Sequence, residues 1–344
     1  MAAVTKQHTR DRRRPRELAD AMTTESVHPS RMPDWPWYAV DDDLLGPMAK
    51  WHAQGLPLAL ATLVSVEGSS PRPLGSEMAI ARNGQCAGYV SGGCVEAAVV
   101  DAALGCLRDN TTVMLDYGAG SPVLDLQLSC GGRIHILVRP VSDAGRYIDL
   151  LRAAGAARRT VTIVTSVTTG RWHAVDGETP VPEGHIGRVH RPALRLVVVG
   201  ADPVALALAD LAHHTGLEVV LVRPDGPDGP PPLPRIGYIR GSLGPALSAA
   251  KVDARTAIYT FTHDDDTDHA VLCQALTDGA FAAGALGSRQ KTDARRRRLL
   301  DAGFDVTAVH AVHLPAGTKS PAMTSPRFIA TGILGRMLSA APMS

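Results

Sequence analysis

"RLVVVGADPVALALADLAHHTGLEVVLVRPD", residues 195–225, reads as strand, glycine turn, helix, glycine stop and strand. That succession is one βαβ unit of a doubly wound sheet. Toward the carboxyl end the alternation continues. "TAIYTFTHDDDTDHAVLCQAL" (256–276) gives a strand and a helix, "GAFAAGALGS" (279–288) a strand, and "KTDARRRRLLDAGF" (291–304) a helix. A proline-started amphipathic helix, "SPRFIATGILGRMLSA" (325–340), closes the domain. The fold class is therefore α/β, with a Rossmann-like parallel-sheet domain over 194–340.

Toward the amino end the pattern changes. "GHIGRVHRPA" (184–193) is polar, ends in proline, and reads as a linker. Before it, 32–183 reads as an α+β domain. A helix over Asp41–Gln54 precedes the aliphatic strand "LPLALATLVSVEG" (56–68), and a hairpin turns at Asn83-Gly84. A helix then opens at Cys94 in "CVEAAVVDAALGCLRD", the alternating strand "GRIHILVRP" (132–140) follows, and two strands flank a "TTG" turn within 160–177. Residues 1–31, with "RDRRRPR" at 10–16, lack apolar periodicity and read as a disordered Arg-rich tail.

The 344 residues suit two domains of roughly 150 each. With 35 Lys and Arg against 34 Asp and Glu, the net charge of +1 supplies no field to attract nucleic acid or an anionic membrane. No apolar run reaches the about 18 residues of a spanning helix, and the amino terminus lacks a signal-peptide pattern, so a cytoplasmic protein is expected. Five cysteines, odd in number and without a CxxC pair, argue against a disulfide framework and a structural zinc site.

Chemistry concentrates at glycine-rich junctions. In "SGGCVEAAV" (91–99), Ser91, Gly92 and Gly93 precede a helix start, where bare N–H groups and the macrodipole favour an anion. Cys94 at that position is a candidate thiolate, nucleophile or soft metal ligand. Glu96 either complements the dipole or takes part in the site. Cys130, followed by Gly131 and Gly132, repeats the arrangement, and "GSSPRP" offers Ser69, Ser70 and Arg72, two hydroxyls and a fork of donors. Cys86, Cys106 and Cys273 read as core residues.

In the second domain, Gly200 and Ala205 fit a dinucleotide fingerprint, but "GADPVA" puts Asp202 at its middle glycine. NAD(P) binding is thereby disfavoured. His263 and Asp264 stand at the end of a strand, where ligands of open α/β sheets collect, although helix capping explains "DDDTD" equally well. Gly287, Ser288 and Arg289 form a turn suited to phosphate, the run Arg295–Arg298 reads as a solvated helix face, and His313 in "HLPAG" is a further candidate.

Taken in order, "GSSPRPLGSEMAI", "SGGCVEAAV", "LSCGG", "VVVGADPVALALA", "THDDDTD", "GALGSRQK" and "HLPAG" resemble the XdhC/CoxI family, accessory proteins of xanthine and carbon monoxide dehydrogenases, from about Leu56 to Leu338. "GADPVA" and "GTKSPA" (317–322) depart from that family's usual turns. The resemblance implies a maturation protein that binds the molybdenum cofactor (molybdopterin), supports its sulfuration and delivers it to an apo molybdenum hydroxylase. It also implies a sulfur donor such as a cysteine desulfurase as partner. The family's conserved cysteines fall on Cys94 and Cys130, which makes both candidate molybdenum contacts. A homodimer suits such a scaffold. The resemblance favours a cofactor-binding chaperone over a catalyst. The rivals are an NAD(P)-dependent oxidoreductase using the second domain, against which Asp202 counts, and a Cys94 nucleophile with a distant histidine base, which no spacing supports.

Overall fold

The structure, a computed structural model, describes residues 32–40, 43–118, 120–121, 131–233, 235–317 and 325–342. The expected tail, 1–31, lies outside them. The chain divides between His190 and Arg191 into two compact units.

The first unit starts with helix α1 (Leu45–Ala53) and strands β1 (Leu58–Glu67), β2 (Glu77–Ala81) and β3 (Cys86–Gly88). Then come α2 (Glu96–Asp109), β4 (Val113–Gly118), β5 (Arg133–Pro140), α3 (Ala144–Ala156), β6 (Val161–Ser166), β7 (Trp172–Asp176) and β8 (His185–His190). Strands β3-β2-β1-β5-β4 form one antiparallel sheet, and β7-β6-β8 a smaller one. The alternation of β1 sends Ala59, Ala61 and Leu63 to a core shared with α2, and Leu58 and Leu60 to a second core shared with α1, α3 and β6. The expected linker 184–193 is corrected here. Its residues 185–190 are β8, hydrogen-bonded along β6 from Val161↔His190 to Ser166↔His185, because "HIGRVH" alternates and has a free strand edge to join. α2 likewise begins at Glu96, two residues later than expected.

The second unit contains β9 (Arg195–Gly200), α4 (Pro203–His214), β10 (Glu218–Arg223), β11 (Gly237–Arg240), α5 (Leu243–Ala250) and β12 (Thr256–Phe261). It ends with α6 (Asp265–Thr277), β13 (Ala282–Ala285), α7 (Thr292–Asp301), α8 (Val306–Ala311) and α9 (Pro326–Ser339). The parallel sheet runs β11-β10-β9-β12-β13, so its strand order reverses between β9 and β12, the switch point of a doubly wound fold. Leu196 and Val198 pack under α4 and α9, while Val197 and Val199 pack under α5, α6 and α7, so β9 is buried on both faces as its continuous apolar run requires. Pro326 occupies the first turn of α9, and the Ser325 hydroxyl caps the helix by accepting from Phe328 N at 3.3 Å.

Candidate functional site

Antiparallel pairing of β1 with β5 sets Glu67 opposite Arg133, so the loop leaving β1 and the segment entering β5 meet at one sheet end. Gly132 is needed there. Any Cβ on it would collide with the Ser69 carbonyl oxygen, so the two segments approach backbone to backbone. A Cβ on Gly92 would meet Pro71 Cγ at 3.2 Å, which brings the loop between β3 and α2 to the same place. Arg72 fastens the group. Its guanidinium lies 4.2 Å from the Tyr89 ring centroid and donates to Tyr89 Oη at 3.3 Å, while Arg72 N donates to Ser70 Oγ at 3.2 Å. Ser69, Ser70, Arg72, Gly92, Gly93, Cys94, Gly131 and Gly132 thus belong to one three-loop face. Cys130 lies outside the described residues.

The anion expected on the bare N–H groups of Ser91–Gly93 is the protein's own. Glu96, 1 % exposed, turns its carboxylate back into the loop. Oε1 accepts from the N–H of Val90 (3.2 Å), Ser91 (2.8 Å) and Gly92 (3.2 Å). Oε2 accepts from Ser91 Oγ (2.7 Å), Gly93 N (2.9 Å) and Val95 N (3.2 Å). Burial alone would push this carboxyl up, but the hydrogen bonds from Ser91, Val90 and its own backbone outweigh burial and hold it below the ordinary glutamate range. The expectation that Gly92, Gly93 and the helix start take a cofactor phosphate is therefore corrected, since those donors are already spent on a charge that cannot leave. Glu96 and Ser91 are internal parts of the loop rather than ligand contacts. The reach of Glu96 to an N–H three residues back has the spacing of a capping box, the one sequence signal that pointed to it.

Cys94 is exposed on this loop, with its N–H donated to Ser91 Oγ at 3.2 Å. The other described cysteines differ. Cys86 is half-buried and pushed up to about 12, by burial first and then by the Glu96 charge, and Tyr38 is raised to about 12 for the same two reasons. Cys106 is buried with Sγ 3.8 Å from the Val138 carbonyl, and Cys273 is half-buried with Sγ 3.5 Å from His269 Nε2. Burial raises both thiols. Sequence reasoning missed Tyr89, and it missed Arg133, which donates to both Asp116 oxygens at 2.8 and 2.6 Å beside the loop face. Only the alternation of "GRIHILVRP" hinted at Arg133 and His135 sharing one side of the sheet.

At the switch point of the second unit, Gly200 ends β9 and Asp202 caps α4. Asp202 Oδ1 accepts from Val204 N (2.6 Å) and Ala205 N (3.3 Å), and Oδ2 lies 3.1 Å from His263 Nε2. The donors a pyrophosphate would use are taken by this carboxylate. His263 is exposed with φ 61°, and Asp264 is the N-cap of α6, accepting from Thr267 N at 2.7 Å. Among the described residues no three His, Cys, Asp or Glu are arranged to hold a metal ion.

The solvated reading of Arg295–Arg298 is corrected at Arg295, which is 8 % exposed. Its Nη2 donates to Asp268 Oδ2 at 2.6 Å and its Nη1 to the Leu286 carbonyl at 2.9 Å. Asp268 Oδ1 accepts from Thr260 Oγ1 (2.5 Å) and Thr262 Oγ1 (2.8 Å). Gly287 leaves room for that guanidinium, since a Cβ would stand 2.8 Å from Arg295 Nη1. Ser288 precedes a short 3-10 turn, Arg289–Lys291, without a side-chain cap bond, and Arg289 is exposed. His313 belongs to the core. It is 8 % exposed and shares a 2.5 Å hydrogen bond with Tyr259 Oη, and burial first, then the Arg336 charge, lowers it to about 4.

The sequence pattern described as "XdhC and CoxI family" matches residues 51–118, and that of the "XdhC Rossmann domain" matches 196–337. The chain is 29 % identical over 274 residues to the "Molybdenum cofactor insertion chaperone PaoD" of Escherichia coli, covering 76 % of this chain and 77 % of that one. It is 25 % identical over 304 residues to a Bacillus subtilis protein described as a probable xanthine dehydrogenase subunit, covering 76 % and 88 %. A crystal structure described as that of a xanthine dehydrogenase from Bacillus halodurans shares the fold, with a TM-score of 0.69 and 20 % identity over 86 % of this chain and 95 % of that one. One pattern lies over two of the three loops that hold Arg72 and Cys94, the other over the whole parallel sheet with its capped switch point: the chain belongs to the XdhC and CoxI family.

Proposed function

We propose that this protein carries the molybdenum cofactor as cargo on its three-loop face, supports its sulfuration, and inserts it into an apo molybdenum hydroxylase of the xanthine or carbon monoxide dehydrogenase type. The family and the cofactor-insertion role of the Escherichia coli relative support the carrier role. One observation carries the placement: the exposed Cys94 sits on a loop whose donors are saturated from within by Glu96, beside Arg72 and the hydroxyls of Ser69 and Ser70. A polarisable sulfur suits molybdenum, and a guanidinium fork with hydroxyl groups suits the phosphate and heterocycle edges of a pterin. The anionic end of the cargo is assigned to the "GSSPRP" loop, because Glu96 already holds the amides of the "SGGC" loop. Bound there, the cargo would be open to exchange of one oxygen ligand, released as water, for sulfide-level sulfur supplied by a partner such as a cysteine desulfurase together with a thiol reductant. The protein's own residues bind and orient.

Nicotinamide chemistry in the second unit finds no support, since Asp202 occupies the helix amides that a dinucleotide needs. The test is purification of the protein from molybdenum-replete cells, with pterin and molybdenum measured after denaturation. Wild-type protein is expected to carry both, and Cys94→Ala or Arg72→Met to lose about tenfold or more in cofactor affinity, equivalent to about 1.4 kcal/mol. Cofactor-free wild-type protein, or wild-type loading in both variants, would overturn the proposal.

A further inference from the structure

A second group of polar side chains lies on the other face of the amino-terminal sheet, in the layer of Leu58 and Leu60. Strand pairing puts Thr62 opposite Glu77, and Leu60 opposite both Ala79 and Arg139, so Thr62, Glu77 and Arg139 share that face. Arg188 and His190 of β8 stand opposite the buried Ile163 and Val161 of β6, and α3 adds Tyr147. The group is enclosed: Arg139 is 2 % and Tyr147 1 % exposed, and the Glu77 side chain 8 %.

The charges in this group do not balance. Glu77 accepts from Thr62 Oγ1 at 3.1 Å and lies 3.7 Å from Arg188 Nε. Among the described residues Arg139 forms no ion pair. Its Nη1 reaches the Pro140 carbonyl at 3.5 Å, the limit of a hydrogen bond, and its guanidinium stands 5.7 Å from the Tyr147 ring centroid. Arg188 Nη1 donates to the Val189 carbonyl at 3.2 Å, while among the described residues Arg188 Nε and His190 Nε2 are buried without a hydrogen-bond partner. Burial, helped by Arg188 and Arg139 against the pull of Glu77, lowers the His190 pKa, so the imidazole stays neutral and can donate. Two guanidiniums thus face one carboxylate. A buried guanidinium without a counter-charge costs several kcal/mol, and every unsatisfied atom here can act as a donor. A negatively charged group rich in acceptors would balance them. Arg188, its side chain 33 % exposed, supplies an approach from solvent.

We propose that Arg139, Arg188 and His190 form a binding site for one small free oxyanion, with Glu77 holding Arg188 in place. This site is separate from the three-loop face and does not depend on the carrier role. The test is isothermal titration of the purified full chain with inorganic phosphate and, separately, with acetate, at constant ionic strength. Saturable binding of one equivalent of either is expected, and the two arms distinguish a tetrahedral oxyanion from a carboxylate. Arg139→Met keeps the volume and removes the charge, and should raise Kd about 30-fold or more, the equivalent of about 2 kcal/mol for a buried charged contact. Arg188→Met provides the same reading should Arg139→Met not fold. Binding of neither anion to the wild type, or binding undiminished in the folded variant, would overturn the proposal.

Discussion

Glu96 accepts five N–H groups and a hydroxyl on two oxygens that offer about four lone-pair directions, so its capacity is filled. Removing it leaves buried donors with nothing to face. Glu96→Ala should cost about 3–5 kcal/mol, read from the urea midpoint, as for other buried charges stripped of their partners. Because the folded carboxyl is held below its ordinary value, its stabilisation is complete above the unfolded pKa of about 4.3 and is lost as pH falls through the lower folded value. The stability gap between wild type and Glu96→Gln should accordingly narrow below about pH 4. A constant gap would show that the ionised form is not what the loop uses. The sequence around Glu96 is legible as an electropositive turn, yet not as one that supplies its own anion. That depends on the side chain curling back, which spacing alone barely encodes.

Two pairings between elements carry the next predictions. Asp268 on α6 and Arg295 on α7 are both buried, joined at 2.6 Å, and tie the acidic helix start to the Leu286 carbonyl. Asp268→Ala alone should cost about 3–5 kcal/mol, whereas Asp268→Ala with Arg295→Met should cost clearly less than the sum of the single changes. Chemical denaturation of the four proteins in that cycle gives the coupling, and additive losses would contradict it. His313 bridges to Gly284 of β13 and is kept neutral down to about 4. Its unfolded counterpart takes a proton near 6.5, so the unfolded state binds more protons between those values and stability falls as pH drops from about 6.5 to 4. His313→Phe, followed by thermal unfolding over that range, should flatten the decline. The strands and helices themselves are readable from periodicity because one core-facing stripe per element settles them. The partner of Arg295 is not readable: four consecutive arginines look alike in sequence, and only the packing of α7 against α6 turns Arg295 inward onto Asp268.

For the molecule as a whole, the strand order of the second unit is foreseeable from βαβ connectivity, and so is the obstruction at Asp202, a change from glycine to carboxylate at the point of closest backbone approach. What cannot be foreseen is that His263 meets the same carboxylate, since 61 residues separate them. NADH and NADPH fluorescence titrations should show no saturable change with the intact protein, and saturation with either would reverse the reading of that crevice. In the first unit, β8 reads as a linker because a six-residue edge strand with half-buried side chains carries little apolar signal. Its presence nonetheless completes the smaller sheet and supplies the Arg188 cation and the neutral His190 beside Glu77.

The internally satisfied "SGGC" loop also bears on turnover. A receptor that relies on its guest to quench bare amides is left frustrated each time the guest departs, and tends to collapse or cling. Here Glu96 quenches those amides from within the loop. Under the proposed carrier role, the loop would release a guest and take another without remodelling, and dwell time would be set by the few contacts of Cys94 and the "GSSPRP" loop.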